Sequence, residues 1–312
     1  MSAMRTLFER LIDYAGLFPP ARLPMQRAAE EYEGIISGPY AWISGRFIVL
    51  ASQITELSDA LDNRRFSVGA IVDAGSDARD WLAKVQEKMR TLSAVRAESP
   101  FIEVEAIEVA VPAPTAARET FDPAIGQFAM ASHNAMLRDL PAYVELPWTK
   151  RFDELLPSAM FALARSKLAA KIRCGGLDQS AFPSSAQIAA FLLTALENDV
   201  PFKATAGLHH PIRRVDASSG LLMHGFLNVL AASVFARQGA DRAELEAILE
   251  ERDAGAFRVT DVEFGWRHRR ADVDAVAEMR KSGFISYGSC SFSEPIDDLI
   301  TLGILVGSPT AV

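Results

Sequence analysis

Along this chain the spacing of apolar residues switches repeatedly between two periods. Short alternating or wholly apolar runs predict strands at Arg46–Ser52, Val68–Asp73, Ile102–Val111, Ala142–Leu146, Phe257–Phe264 and Phe284–Phe292. Between them the period lengthens to that of helices. These are expected at Leu23–Ile36 (stopped by Gly38 and Pro39), Glu56–Leu61, Ala78–Leu92, Thr115–Leu140, Phe152–Ser166, Leu221–Gln238, Asp241–Glu251, Asp272–Lys281 and Pro295–Leu305. Asp241 stands where a helix N-cap is wanted.

The most informative stretch is Ala170–Arg214, which reads as strand, turn, helix, strand and loop. In its first strand Lys171 and Arg173 share one face, while Ile172 and Cys174 share the other. In its second, Lys203 and Thr205 oppose Phe202, Ala204 and Ala206. A parallel strand packed under helices gives them its apolar face, so the charged face of each strand must look away. In a closed barrel, away means inward.

Strand and helix alternate with no linker or low-complexity tract, which predicts a parallel sheet with crossover helices. The expected architecture is α/β: one (β/α)8 TIM-type barrel over residues 1–312, with an N-terminal extension and extra helices before the last strands. Counting from Phe47 gives eight strands, and adding Ile12–Phe18 gives nine. Residues 1–45 are therefore either an extension or the first βα unit. Asp13–Pro20 is expected as a lid or as a plug under the barrel. No Gly-x-Gly-x-x-Gly follows a strand, which disfavours a dinucleotide-binding fold.

Composition narrows the setting. The net charge of −8 argues against nucleic acid and anionic membrane surfaces as partners. Two cysteines, Cys174 and Cys290, suggest no disulfide framework, and Glu9 and Asp13 interrupt the N-terminal apolar run where a signal peptide needs continuity. A cytoplasmic location is expected. The apolar stretch Leu221–Phe235 is either a homodimer face or buried inside the monomer.

In barrels of this kind the working residues stand at the C-terminal ends of the strands. Reading those ends gives Ser52, Asp73, Glu108, Glu145, Lys171, Arg173, Lys203, Thr205, His209, His210 and Ser289. A lysine attacks a carbonyl only when neutral, and burial beside a second cation favours the neutral form. Lys171 and Lys203 on neighbouring strands would do this to one another. The alternative is that each pairs with a carboxylate such as Glu145.

Adjacent in an extended chain, His209 and His210 must point apart. One could serve as acid or base, or join Glu108 and Glu145 around a divalent cation; otherwise no cofactor is expected. Arg213 and the Gly288–Ser291 turn are candidates for holding an anionic group. His224, within an apolar helical run, reads as a core histidine.

Lys171 through Gly175, the helix from Pro183, and Lys203 through Gly207 with Arg213 beyond together resemble the two-lysine region of class I deoxyribose-phosphate aldolases. Tyr287–Ser291 is similar to that family's phosphate turn. The resemblance implies a Schiff-base enzyme with Lys171 as nucleophile, Lys203 as its activating cation, and Gly288 and Ser289 on a phosphate. Glu108 or Glu145 would take the place of the family's proton-relay aspartate. It also makes Lys171 and Lys203 the sixth and seventh strands, which requires Ile12–Phe18 to be the first.

The leading expectation is thus an enzyme acting on a small carbonyl metabolite through a lysine imine, with aldolase or lyase chemistry. Glu108, Glu145 and His209 would assist, and Arg173, Thr205, His210, Arg213, Gly288 and Ser289 would bind substrate. A metal-dependent lyase, isomerase or hydrolase, or a non-catalytic binder of an anionic metabolite, are the alternatives.

Overall fold

The computed structural model describes residues 2–307. Eight parallel strands close into a barrel: β1 Ile12–Tyr14, β2 Ser44–Leu50, β3 Phe66–Val72, β4 Ile102–Ala110, β5 Ala142–Glu145, β6 Ala169–Arg173, β7 Phe202–Thr205 and, completing the ring between β7 and β1, β13 Phe284–Ser289. The intervening strands β8 (Arg214–Val215) and β9 (Leu222–Met223) form a small hairpin after β7. β10 (Phe257–Val259), β11 (Glu263–Trp266) and β12 (Arg269–Asp272) form an antiparallel sheet outside the barrel.

Two strand expectations are thereby corrected. Phe257–Phe264 is not a barrel strand. Thr260, Asp261 and Val262 break it into two arms of a tight hairpin, in which Val259 pairs with Phe264. A hairpin arm carries the same period as a barrel strand, so periodicity alone cannot separate them. The eighth strand is instead Ile12–Tyr14, which with the helix Met25–Ser37 forms the first βα unit of the barrel. The Phe18–Pro20 segment lines the mouth of the barrel and does not plug its underside.

The helices α2 (Met25–Ser37), α3 (Ile54–Ala60), α4 (Trp81–Glu98), α5 (Asp122–Asn134), α6 (Phe152–Ser166), α7 (Ser185–Glu197), α8 (Phe226–Arg237), α9 (Arg242–Glu250), α10 (Val273–Ser282) and α11 (Ser293–Thr301) surround the sheet; α1 (Ala3–Phe8) packs on α10. Their starts follow capping chemistry. The Ser184 hydroxyl accepts from the Gln187 amide in a capping box, and Asp241 accepts from the Glu244 amide at 2.9 Å.

α8 is buried on all sides, with the Asn228 side-chain amide donating to the carbonyls of Ile248 and Glu251. Burial within the chain accounts for its apolarity, so that stretch is not an exposed dimer face. Among the described residues no helix is long and apolar enough to cross a membrane.

Inside the barrel the alternation set by the strands produces layers. Ala106, Tyr143 and Ala169, with Ile285, form a small apolar floor. Above it, register places Glu145 beside Lys171 and Lys171 beside Lys203 on three consecutive strands. With neighbouring strands about 4.8 Å apart, these side chains must meet in the lumen.

The ends of β6 and β7 approach closely at Gly207, which has φ +68°; a Cβ there would stand 2.8 Å from the Cys174 carbonyl oxygen and 2.8 Å from the Gly175 Cα. Gly220 has a similar φ of +72° in open space. Gly220→Ala is expected to cost only the left-handed backbone penalty, about 1–2 kcal/mol. Gly207→Ala should add about 1–3 kcal/mol of overpacking. Melting temperatures of the two variants check this, and equal losses would mean the strand ends do not approach so closely.

Candidate active site

A cavity of about 300 Å³ opens at the C-terminal end of the barrel strands. Its base is a buried set of alternating charges. Lys171 Nζ lies 2.8 Å from Glu108 Oε2 and 3.0 Å from Glu145 Oε2. Lys203 Nζ donates to Asp13 Oδ2 at 2.6 Å and to Glu108 Oε1. Glu108 therefore bridges both lysines, one through each oxygen.

Asp13 is fully buried. It also accepts from the Ser286 hydroxyl at 2.7 Å and from the Arg46 backbone N–H at 2.9 Å, and the Arg46 guanidinium stands 3.6 Å away. Lys203 is the more deeply buried lysine, 5.7 Å from the centre of the Tyr143 ring, and it borders the cavity together with Lys171, Glu108 and Glu145.

The electrostatics follow from this packing. Burial works to raise the Glu108 carboxyl, but Lys171 and then Lys203 outweigh it and hold the group at about 2. Asp13 is likewise lowered, burial being overcome by Lys203 and Arg46. Burial works to lower Lys171, yet Glu108 and Glu145 carry it above the ordinary lysine value. Lys203 is raised in the same way by Asp13 and Glu108.

This reverses the sequence-based expectation that the two lysines depress one another. Three carboxylates reach the pair, and opposite charge at hydrogen-bond distance outweighs like charge across the gap.

The structure brings Glu108, Glu145, Lys171, Arg173, Lys203, Thr205, His209 and Gly288 to this one cavity. Three other residues expected there lie elsewhere. Arg213 turns to the core, where Nη1 donates to His224 Nδ1 at 2.7 Å; the His224 Nε2 donates to the Pro183 carbonyl at 2.7 Å. Ser289 is buried, its hydroxyl donating to the Ser291 carbonyl at 2.6 Å.

His210 is also buried, with Nδ1 at 2.8 Å from Asp298 and Nε2 at 3.2 Å from Asp216. The two histidines do not diverge as they would in an extended chain: they lie beyond β7 with ring centroids 6.5 Å apart, and both reach α11, His209 bordering the cavity and donating from Nδ1 to Glu294 at 3.0 Å. Glu294 and Asp298 are one turn apart on α11, so the His-His pair clamps that helix to the end of β7.

The cation-ligand set His209, Glu108 and Glu145 is not assembled. Glu108 spends both oxygens on lysines, and His209 is held by Glu294. Among the described residues His210, Asp216 and Glu294 also bring ligand-type atoms within 4.8 Å of one another. There, however, Asp216 is already occupied by His210 and by the hydroxyls of Ser218 and Ser219.

Asp13 was not singled out as a site residue from sequence, although an acid between Ile12 and Tyr14 in an apolar run was a signal available there. The apolar wall of Ile48, Leu50 and Ile71, and Glu294 behind His209, were also missed.

No family model matches the chain, and no curated protein does. Among solved structures it is similar to the tetrameric deoxyribose phosphate aldolase from Aeropyrum pernix, with a TM-score of 0.50 at 10% identity over 96% of this chain and 93% of that one. At such identity the likeness is one of fold: a closed eight-stranded TIM-type barrel.

The site's charge balance has a pH signature. Asp13 and Glu108 are lowered, so their stabilising contribution is complete above the unfolded carboxyl range and is lost as pH falls through the folded values. The raised lysines contribute fully below their unfolded value of 10.5 and lose that contribution as pH rises through the folded value. Glu108→Gln, which leaves two buried ammonium groups with one carboxylate each, Glu145 for Lys171 and Asp13 for Lys203, is expected to cost about 3–5 kcal/mol at pH 7. Urea unfolding should show that gap closing as pH falls from about 4.5 toward 2, where wild-type Glu108 takes up its proton. A gap constant across that range would contradict the bridging role.

Proposed function

We propose that the protein is a lyase of the imine-forming aldolase type, acting on a small carbonyl metabolite with Lys171 as nucleophile. The observation that carries this reading is an amine at the base of the cavity, set between Glu108 and Glu145, with the second lysine fixed behind it. The raised value of Lys171 is compatible with such chemistry because of how charge is conserved. Ammonium plus carbonyl gives iminium plus water, so the positive charge at Nζ is present before and after. Carboxylates that stabilise the one also stabilise the other.

The cost falls on the intermediate steps, where proton transfer must be local. Glu145, 3.0 Å from Nζ and bordering the cavity, takes a proton from the ammonium. The neutral amine adds to the carbonyl carbon, and the N–H proton passes to the carbonyl oxygen. Glu145 then returns its proton to that hydroxyl, which leaves as water.

With the iminium formed, Glu145, again ionised, takes the β-hydroxyl proton as the Cα–Cβ bond breaks, and later returns it to the enamine carbon. The bonding electrons pass into the iminium to give an enamine on Lys171, and the β carbon leaves as a carbonyl. Protonation of the enamine and hydrolysis release the second product. Lys203 takes no covalent part. Its bonds to Asp13 and Glu108 hold Glu108 in place against Lys171, which makes it a positioning residue.

The complete pairing of both lysines favours one other reading: a non-catalytic barrel in which the half-exposed Arg173, 4.0 Å from Glu145, receives an anionic metabolite. Borohydride trapping separates the two. After incubation with small aldehydes and ketones, intact-mass spectrometry is expected to show one reduced adduct per chain. The adduct should be absent in Lys171→Ala and retained in the exposed-lysine control Lys281→Ala. Absence of any adduct across the panel would sink the imine reading.

A further inference from the structure

The cavity is chemically divided. The side chains able to bond a polar substrate atom stand mostly on one side, on β4 to β7 and the segment after β7: Glu108, Glu145, Lys171, Arg173, Lys203, Thr205 and His209. The opposite wall, where β2 and β3 end and the β1 loop crosses, consists of Ile48, Leu50, Ile71, Phe18 and Pro19. Leu50 and Ile71 are register partners; β2 pairs with β3 over Phe47–Leu50, and above a register shift at Val68–Gly69 β3 pairs with β4 through Val72, so the main chain at this wall is engaged in the sheet.

Both side chains are partly exposed although they sit inside a barrel, and that exposure is to the cavity. Leu177, at the mouth, also lines the cavity and is 65% exposed.

A hydroxyl set against this wall would lose its water and find no partner in return. An alkyl or aryl group would lose only unfavourable hydration. We infer that the carbonyl substrate carries an apolar arm, directed from the reacting carbon at Lys171 toward Ile48, Leu50 and Ile71, and that it is not a polyhydroxylated chain. The inference rests on the imine reading of Lys171. It assigns the arm to a part of the molecule remote from the reacting atoms, whose burial orients the carbonyl toward the amine. A site of this kind discriminates through methylenes it covers and hydroxyls it cannot satisfy.

Reductive trapping of the wild-type protein with the series acetaldehyde, propanal, butanal and pentanal tests this, with glyceraldehyde as the hydroxylated probe. Each rate is divided by that of Nα-acetyl-lysine under the same conditions, which removes the intrinsic reactivity of the aldehyde. The normalised rate is expected to climb roughly fourfold per methylene until the wall is covered. Butanal should exceed glyceraldehyde by tenfold or more, and Leu50→Asn and Ile71→Asn should each flatten the climb.

An adduct at Lys171 with a flat series, or with glyceraldehyde equal to butanal, would overturn the apolar arm and leave the imine reading standing. Failure of every aldehyde to modify Lys171 would overturn the imine reading and this inference with it. The wild-type series decides between these outcomes even if a wall variant fails to fold.

Discussion

The interaction on which the lumen depends is the Glu108 carboxylate shared between Lys171 and Lys203. Two ammonium groups cannot be taken out of water side by side unless opposite charge reaches both, and one residue does so for the pair. Glu145 on the adjoining β5, and Asp13 on β1 beyond β13, complete the balance. The arrangement holds only while β1, β4, β5, β6 and β7 keep their mutual register. A slip of one residue in any of these strands would turn its charge out under the helices. The charge cluster thus acts as a specification of alignment as well as a piece of chemistry.

Around that centre the molecule separates mechanical roles from chemical ones. The outer helices take the apolar faces of the strands, and the enclosed α8 packs against α7, α9 and α10. The His209–His210 pair links the segment after β7 to α11 through carboxylates one turn apart, so the rim beside Lys203 is held by that helix. The β2–β3 side carries no charge into the cavity. An electrostatically dense half therefore faces an apolar half across the same opening.

How far this was legible in the sequence depends on the range of the interactions concerned. The faces of β6 and β7 could be read because alternation is local, and Glu108, Glu145, Arg173 and Thr205 followed from it. The partners were another matter. Lys203 meets Glu108 from 95 positions away and Asp13 from 190, and nothing in local periodicity carries such pairings. The direction of the lysine shifts, which depends on those partners, was therefore read with the wrong sign. β1 has only three residues and so offers little pattern, while the β10–β11 hairpin offers a convincing one in the wrong place. Arg213 reads as an anion clamp because it follows the His209–His210–Pro211 loop, but the fold supplies His224 as its partner.

The seam between β1 and β13 sets an order of events. Asp13 is made 273 residues before its partner Ser286, a delay of roughly 14–55 s at ordinary translation rates. Until β13 emerges, β1 and β7 are both open edges, and Lys203 and Asp13 have no closed lumen in which to meet. The nascent chain must carry these charges solvated, and only the final strand commits them to the interior. In this protein, therefore, closing the fold and assembling the candidate active site are a single act.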